Sequence, residues 1–257
     1  MIGIFDSGVG GLTVYRHLRE LIPQADVVYL ADQKHAPYGE RSLGEVAAIA
    51  RACVGHLSTE GATSIVVACN TASAAALHRL RAEMPAYTFV GMEPALKPAA
   101  ALTKSGVVGV LATQATFQGE LFASLRERFA ASVEVVDQPC PGWAQLVEAG
   151  QVDGPEVEEA VARHLKPVLA RGADILVLGC THYPFLRPVI ERLAGPEVTI
   201  IDPAPAVAAQ TLRVATNPGD GATTHLHTTG DPAAVSRLVA RLTGWRWGAK
   251  SVTLPGI

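Results

Sequence analysis

Along this chain, short Val/Ile-rich runs alternate with longer stretches of helical periodicity, and that alternation restricts the fold more than any other feature. The runs fall at 2–5, 27–30, 64–68, 88–90, 107–111, 133–136, 175–178, 198–201 and 225–227. In the stretch 43–57, residues Leu43, Val46, Ile49, Ala50, Cys53 and Leu57 recur at helical spacing, and Gly61 just beyond suits a helix C-terminus. Stretch 155–169 repeats the pattern with Val157, Val161, Leu165 and Val168 on one stripe. Strand and helix in succession make βαβ units, so the expected class is α/β with mostly parallel sheets.

Two segments in this series look alike. One is Ser64-Ile-Val-Val-Ala-Cys69-Asn70-Thr71-Ala-Ser73; the other is Asp174-Ile-Leu-Val-Leu-Gly-Cys180-Thr181-His182-Tyr183-Pro184. Each reads as a buried strand ending on a small residue, then Cys, then hydrogen-bonding side chains at a helix start. The likeness predicts two similar α/β halves, each with a Cys at the carboxyl end of a central strand, the edge where open α/β sheets bind ligands. Pro-containing joints near Glu93-Pro94 and Asp202-Pro203 suggest the division. The first domain is read as 1–93 plus 206–257, the second as 94–205.

Composition narrows the function. Of 257 residues, 49% are hydrophobic and 18% charged, enough to bury a full core. A formal charge of −3 without any Lys/Arg run argues against nucleic acid or an anionic membrane as partner. No apolar stretch reaches the roughly 20 residues that span a bilayer. No leader precedes the first run, so a cytoplasmic location is expected. Cys53, Cys69, Cys140 and Cys180 lie far apart, which reads as reduced thiols. A zinc site is not expected either: Cys180 and His182 offer two ligands, and no second pair has suitable spacing.

The opening turn, Asp6-Ser7-Gly8-Val9-Gly10-Gly11, looks like a phosphate cradle but places Thr13 where the dinucleotide fingerprint needs its last glycine. No P-loop occurs. The plain alternative is that Asp6 and Ser7 cap the helix starting near Gly11. Cys53 falls on an apolar stripe, and Cys140, between two prolines, reads as structural. Cys69 and Cys180 differ, because a helix N-terminus after each is expected to lower its thiol pKa. A cysteine hydrolase needs a single nucleophile with a His base, and a redox dithiol needs both thiols in one motif. A third option is a pair of acid/base groups facing one carbon from both sides, which inverts a stereocentre without a cofactor.

The polar residues around these cysteines are Ser7, Tyr38, Gly39, Asn70, Thr71, Ser73, Thr113, Thr116, Thr181 and His182, almost free of Arg and Lys. Substrate carboxylates are then expected to meet hydroxyls, amides and backbone N–H groups, leaving Asp6 to face an ammonium. The plain readings are that Thr113 and Thr116 are cap residues, Glu148 a solvated helix charge and His182 a helix cap.

Four stretches together resemble the glutamate racemases of the cofactor-independent aspartate/glutamate racemase superfamily. They are Phe5-Asp6-Ser7-Gly-Val-Gly-Gly-Leu12, Pro37-Tyr38-Gly39-Glu-Arg-Ser42, Ala68-Cys69-Asn70-Thr71-Ala-Ser73 and Leu178-Gly-Cys180-Thr181-His182-Tyr-Pro184. Glu93-Pro94-Ala95, Ala112-Thr113-Gln-Ala-Thr116 and Cys140-Pro141 followed by Glu148 add to the likeness. The resemblance implies two α/β domains related by a pseudo-twofold, with the active site in the cleft between them, and a homodimer. It implies cofactor-free interconversion of L- and D-glutamate for peptidoglycan. Cys69 then deprotonates the D-enantiomer and Cys180 the L-enantiomer, assisted by Asp6 and by His182 with Glu148. Ser7, Tyr38, Gly39, Asn70, Thr71, Thr113, Thr116, Thr181 and His182 hold the substrate, with Asp6 serving there as well. The chain lacks the N-terminal extension through which some relatives are activated by a cell-wall precursor, so no such activation is expected. Related enzymes acting on aspartate or hydantoins, and a non-catalytic binding protein, are the alternatives. The stretch Gly244-Trp-Arg-Trp-Gly-Ala-Lys-Ser adds no motif.

Overall fold

The computed structural model describes residues 1–257 and builds two separate sheets. Strands β1 (Ile2–Asp6), β2 (Val27–Ala31), β3 (Ser64–Val67) and β4 (Thr88–Gly91) open the first. The second holds β5 (Val107–Ala112), β6 (Glu134–Pro139), β7 (Ile175–Gly179) and β8 (Thr199–Ile201). The chain then returns to the first sheet with β9 (Thr224–Thr228) and β10 (Ala249–Ser251). Every pairing is parallel. The strand orders are β10-β9-β2-β1-β3-β4 and β6-β5-β7-β8. Without the two C-terminal strands, the sheets share one order, second-first-third-fourth. The chain is therefore of the α/β class with two parallel sheets of like topology.

Parallel strands covered on both faces need uninterrupted apolar runs, and β1, β2, β3 and β7 are buried at every position. Alternate residues serve opposite layers. Ile2, Ile4, Val27, Tyr29 and Val66 face helices α1 (Leu12–Leu21), α10 (Ala204–Val214) and α11 (Pro232–Thr243). Phe5, Val28, Leu30, Ile65 and Val67 face α2 (Leu43–Thr59) and α3 (Asn70–Glu83). In the second sheet, α4 (Leu96–Leu102) and α6 (Glu120–Phe129) cover one face, with the short α5 (Gln114–Gln118) between them in the chain. Helices α7 (Trp143–Glu148), α8 (Pro155–Ala170) and α9 (Arg187–Ala194) cover the other.

Helix α2 shows how the local code works. Ser42 and Glu45 form a reciprocal capping box, Val46, Ile49, Ala50, Cys53, Val54 and Leu57 are buried, and Gly61 takes φ +88° past the end. Each fully buried Val, Leu or Ile on that stripe contributes about 1.5–3 kcal/mol. No helix is long and apolar enough to cross a membrane.

Two departures from the sequence reading matter. The segments around Cys69 and Cys180 diverge after the cysteine. Cys69 leads directly into α3, whereas Cys180 leads into a 3₁₀ turn, Tyr183–Leu186, before α9. Pro188 lacks the N–H that would reach the Pro184 carbonyl, so one α-helix cannot run through both. The second departure is β10, which no periodicity announced. Trp245 and Trp247 pack edge-on against Tyr15 of α1, with ring centroids 5.2 and 4.8 Å away, and pin this edge strand beside β9.

Candidate active site

Parallel sheets gather their carboxyl ends on one side, and the crevice lies where connections leave in opposite directions. In the first sheet that point is between β1 and β3, which end at Asp6 and beside Cys69. In the second it is between β5 and β7, which end beside Thr113 and Cys180. The four ends meet around a cavity of about 410 Å³. Ser7, Tyr38, Gly39, Cys69, Asn70 and Thr71 line it from the first sheet's loops, and Thr113, Glu148, Cys180, Thr181 and His182 from the second's. No Lys or Arg lines it. The amide of Asn70 is buried, with neither its nitrogen nor its oxygen hydrogen-bonded within the protein.

Asp6 and Thr116, both expected to touch substrate, stand behind this wall instead. Asp6 is fully buried; its Oδ2 accepts from the N–H groups of Gly8 (3.2 Å) and Gly11 (3.1 Å). Its Oδ1 accepts from the Thr181 hydroxyl at 3.1 Å, which ties the opening turn to the cysteine loop of the other sheet. Asp6 thus holds the amide of Gly11, just before α1, and the same carboxylate also reaches across the interface. Thr116 Oγ1 lies 2.9 Å from Thr113 Oγ1, which in turn lies 2.9 Å from Thr71 Oγ1. Thr113 caps α5, as its position suggested.

Glu148 is no solvated helix charge. Its Oε1 accepts from His182 Nε2 at 2.6 Å and from the Val9 N–H at 2.7 Å, and its Oε2 from Gln33 Nε2 at 2.5 Å. The other ring nitrogen of His182, Nδ1, is 3.8 Å from Cys180 Sγ. Burial alone disfavours the imidazolium, but the bonds to Cys180 and Glu148 and the charge of Asp6 outweigh it and hold His182 well above its ordinary pKa. Burial likewise opposes ionisation of Glu148, and the bond and charge of His182, with the Val9 and Gln33 donors, overcome it and lower its pKa. Asp6 is raised, first by burial and further by the charge of Glu148.

Cys69 corrects an expectation. Amides of Thr71 and Ala72 do point at its sulfur, as a helix start should, yet burial and the nearby Asp6 carboxylate prevail and push the thiol far up. It rests as S–H, a proton donor.

The glycines of the opening turn have a role that the sequence hid. A Cβ at Gly8 would overlap the Glu148 carboxylate, and one at Gly10 would stand 2.5 Å from His182 Nδ1 and 2.6 Å from Thr181 Oγ1. At Gly39 it would come within 2.8 Å of Thr113. The glycines admit side chains of the opposite sheet's loops, not only a small ligand. Sequence reasoning also passed over Gln33, which braces Glu148, and Tyr29, whose hydroxyl donates to the Gly8 carbonyl at 2.9 Å. It passed over Asp32 too, which accepts from the Tyr38 hydroxyl at 2.6 Å. Gln33 and Asp32 directly follow β2 at the carboxyl edge, the position that had singled out Asp6. Cys140, read as structural, lines the cavity as well as being buried.

Paired thiols at matching strand ends, one beside a carboxylate and one beside an imidazole, define a class. The chain belongs to the Asp/Glu/hydantoin racemase family, whose model matches residues 2–211. Within it the chain belongs with the glutamate racemases. It is 49% identical to the glutamate racemase of Roseiflexus sp. (strain RS-1) over 94% of this chain and 91% of that one. Among solved structures it is similar to glutamate racemase isoform RacE1 of Bacillus anthracis, with TM-score 0.90 and 32% identity over 99% of this chain and 98% of that one. It is also similar to Escherichia coli glutamate racemase in complex with L-glutamate and the activator UDP-MurNAc-ala, with TM-score 0.88 and 29% identity over 99% and 98%.

Proposed function

We propose that this chain interconverts L- and D-glutamate without a cofactor, using Cys69 and Cys180 as two acid/base groups, and so supplies D-glutamate for peptidoglycan. The observation that carries the reading is that two thiols, following topologically equivalent strands of two sheets, line one cavity of about 410 Å³. The units 1–93 with 206–257 and 94–205 are the two halves that bring them together.

From L-glutamate, Cys180 as thiolate takes the Cα proton, with its own proton lodged beforehand on His182. Cys69, resting as S–H, gives a proton to the opposite face. The product is D-glutamate, Cys180 S–H and Cys69 thiolate, and the pair resets by exchange with solvent. The reverse reaction begins from the Cys69 thiolate with its proton lodged beforehand on Asp6, which as the neutral acid no longer opposes the thiolate with its charge. Asn70 supports substrate binding with a donor and an acceptor both free of protein partners. Ser7, Gly39, Thr71, Thr113 and Thr181 supply hydroxyls and amides for two carboxylates, and Tyr38, anchored on Asp32, shapes the wall. The co-crystallised L-glutamate of the Escherichia coli relative supports glutamate as the substrate.

The test is racemisation of each glutamate enantiomer by purified protein with no cofactor added, run in D₂O so that Cα exchange is seen by NMR. Aspartate serves as the comparison substrate. Cys69→Ala and Cys180→Ala are each expected to lose about 10²–10⁴-fold, the range for removing an acid or base. Undiminished racemisation by either variant refutes the mechanism, and faster turnover of aspartate refutes the substrate. Growth of a D-glutamate-requiring bacterium carrying the gene tests the peptidoglycan role.

A further inference from the structure

One cluster of ligating side chains lies outside the cavity. His56 and Glu60 sit one turn apart at the end of α2, and His227 stands on β9 beneath them. Their nearest ligand atoms all lie within 4.8 Å of one another. His56 Nε2 and His227 Nδ1 are 2.9 Å apart, and Glu60 Oε1 is 4.0 Å from His227 Nδ1. None of the three lines the cavity.

Two imidazole nitrogens at that separation share a single proton, because an N–H on both would set donor against donor. A divalent cation can take the place of that proton. The geometry points to a binding site for a divalent transition cation, zinc foremost, made by His56, Glu60 and His227. Two imidazoles and a carboxylate are the donor set zinc accepts, with a fourth position left to water. Ligand bonds of about 2.0–2.2 Å at tetrahedral angles set the donors roughly 3.3 Å apart. The histidine pair must therefore open by about 0.4 Å from its 2.9 Å, and Glu60 must approach by about 0.7 Å from its 4.0 Å. Glu60 is one-third exposed and His56 half-buried, so side-chain rotation suffices, while His227, 4% exposed, is the fixed member.

One cationic neighbour acts against the ion: Lys250, which pairs with His227 in the β9–β10 ladder. The affinity is set by this opposition, which gives the test a distinctive arm. The bound ion would join residue 56 to residue 227, fastening the returning C-terminal segment to α2. The sequence alone predicts no zinc site; His227 lies on a strand far along the chain from His56 and Glu60, and only the fold brings the three together.

The experiment uses the full chain carrying Cys69→Ala, Cys140→Ala and Cys180→Ala, so that cavity thiols do not compete for metal. Metal-stripped protein is dialysed against zinc chloride, bound metal is counted, and thermal unfolding is followed with and without zinc. The site predicts one bound equivalent and a Tm rise of about 5 °C near saturation. His56→Gln and Glu60→Gln, with unchanged circular dichroism, are each expected to weaken binding at least tenfold, and Lys250→Gln to tighten it. No bound zinc overturns the proposal, as does a loss under tenfold in both ligand variants or binding unaffected by Lys250→Gln.

Discussion

Exchanging Glu148 for glutamine keeps the side chain's size and removes its charge, and its neighbours decide what that costs. Three donors converge on the carboxylate: His182 Nε2, the Val9 N–H and Gln33 Nε2. A glutamine carbonyl can still accept from His182 and Val9, and Gln33 can turn its own oxygen toward the new amide. Shape and bond count survive, so the loss is one of charge. A bond to a charged group contributes about 1.5–3 kcal/mol and a neutral one about 0.5–1.5, leaving a deficit near 1–1.5 kcal/mol. At about 1.4 kcal/mol per tenfold, kcat/KM falls roughly tenfold. The carboxylate also holds His182 above its ordinary pKa, so the variant loses its imidazolium at lower pH and the alkaline limb of the profile moves down. Because the equilibrium constant between enantiomers is unity, kcat/KM must fall equally in both directions even though, in the proposed mechanism, Glu148 serves only the Cys180 arm. The individual kcat and KM values are free to diverge. Polarimetry from each enantiomer across pH measures all of this. An unmoved alkaline limb, or kcat/KM within twofold of the parent, would refute the relay from Glu148 through His182 to Cys180.

Other outcomes follow from the same geometry. Asp6→Asn retains acceptors for the Gly8 and Gly11 amides but cannot hold a proton for Cys69, so a loss of about 10²-fold or more is expected by the same assay; near-normal turnover would return Asp6 to a capping role. Gly8→Ala drives a methyl into the Glu148 carboxylate and is expected to cost about 1–3 kcal/mol in urea unfolding along with activity. Adding Glu148→Ala relieves the overlap, so the double variant should lose less stability than the sum of the two single losses while staying inactive, a coupling that additive losses would exclude. For Asp174, burial opposes ionisation, but the Thr103 hydroxyl and the Ser105 and Lys104 amides lower its pKa to about 2. Its carboxylate therefore stabilises the fold above the ordinary carboxyl pKa, and that contribution fades as pH falls toward 2. Asp174→Asn is expected to cost up to about 1 kcal/mol at neutral pH after solvent screening, and less at pH 3, in parallel urea titrations.

Much of this molecule was legible before folding because the signals are local. Apolar runs gave nine of the strands, the capping box and glycine gave α2, and the Cys-Asn-Thr and Cys-Thr-His stretches sat at strand ends, as the parallel sheet requires. What stayed hidden depends on residues distant in the chain. The reason for glycine at positions 8 and 10 is the approach of Glu148, Thr181 and His182, more than 130 positions later. The state of Cys69 depends on burial and on Asp6, and those reverse what its helix start alone would do. Edge strand β10 is only three residues long and is held by aromatic packing, not by alternation.

The two sheets repeat one strand order, yet the thiols they present have different company: a carboxylate near Cys69, an imidazole near Cys180. Mirror-image ligands therefore meet arms that are not mirror images. A chiral inhibitor and its enantiomer, equal in every bulk property, are expected to differ in how their affinity varies with acidity, since each leans on a group of opposite charge type. Handedness of binding is therefore expected to vary with pH, and inhibitor screens run at one pH would sample only one side of it.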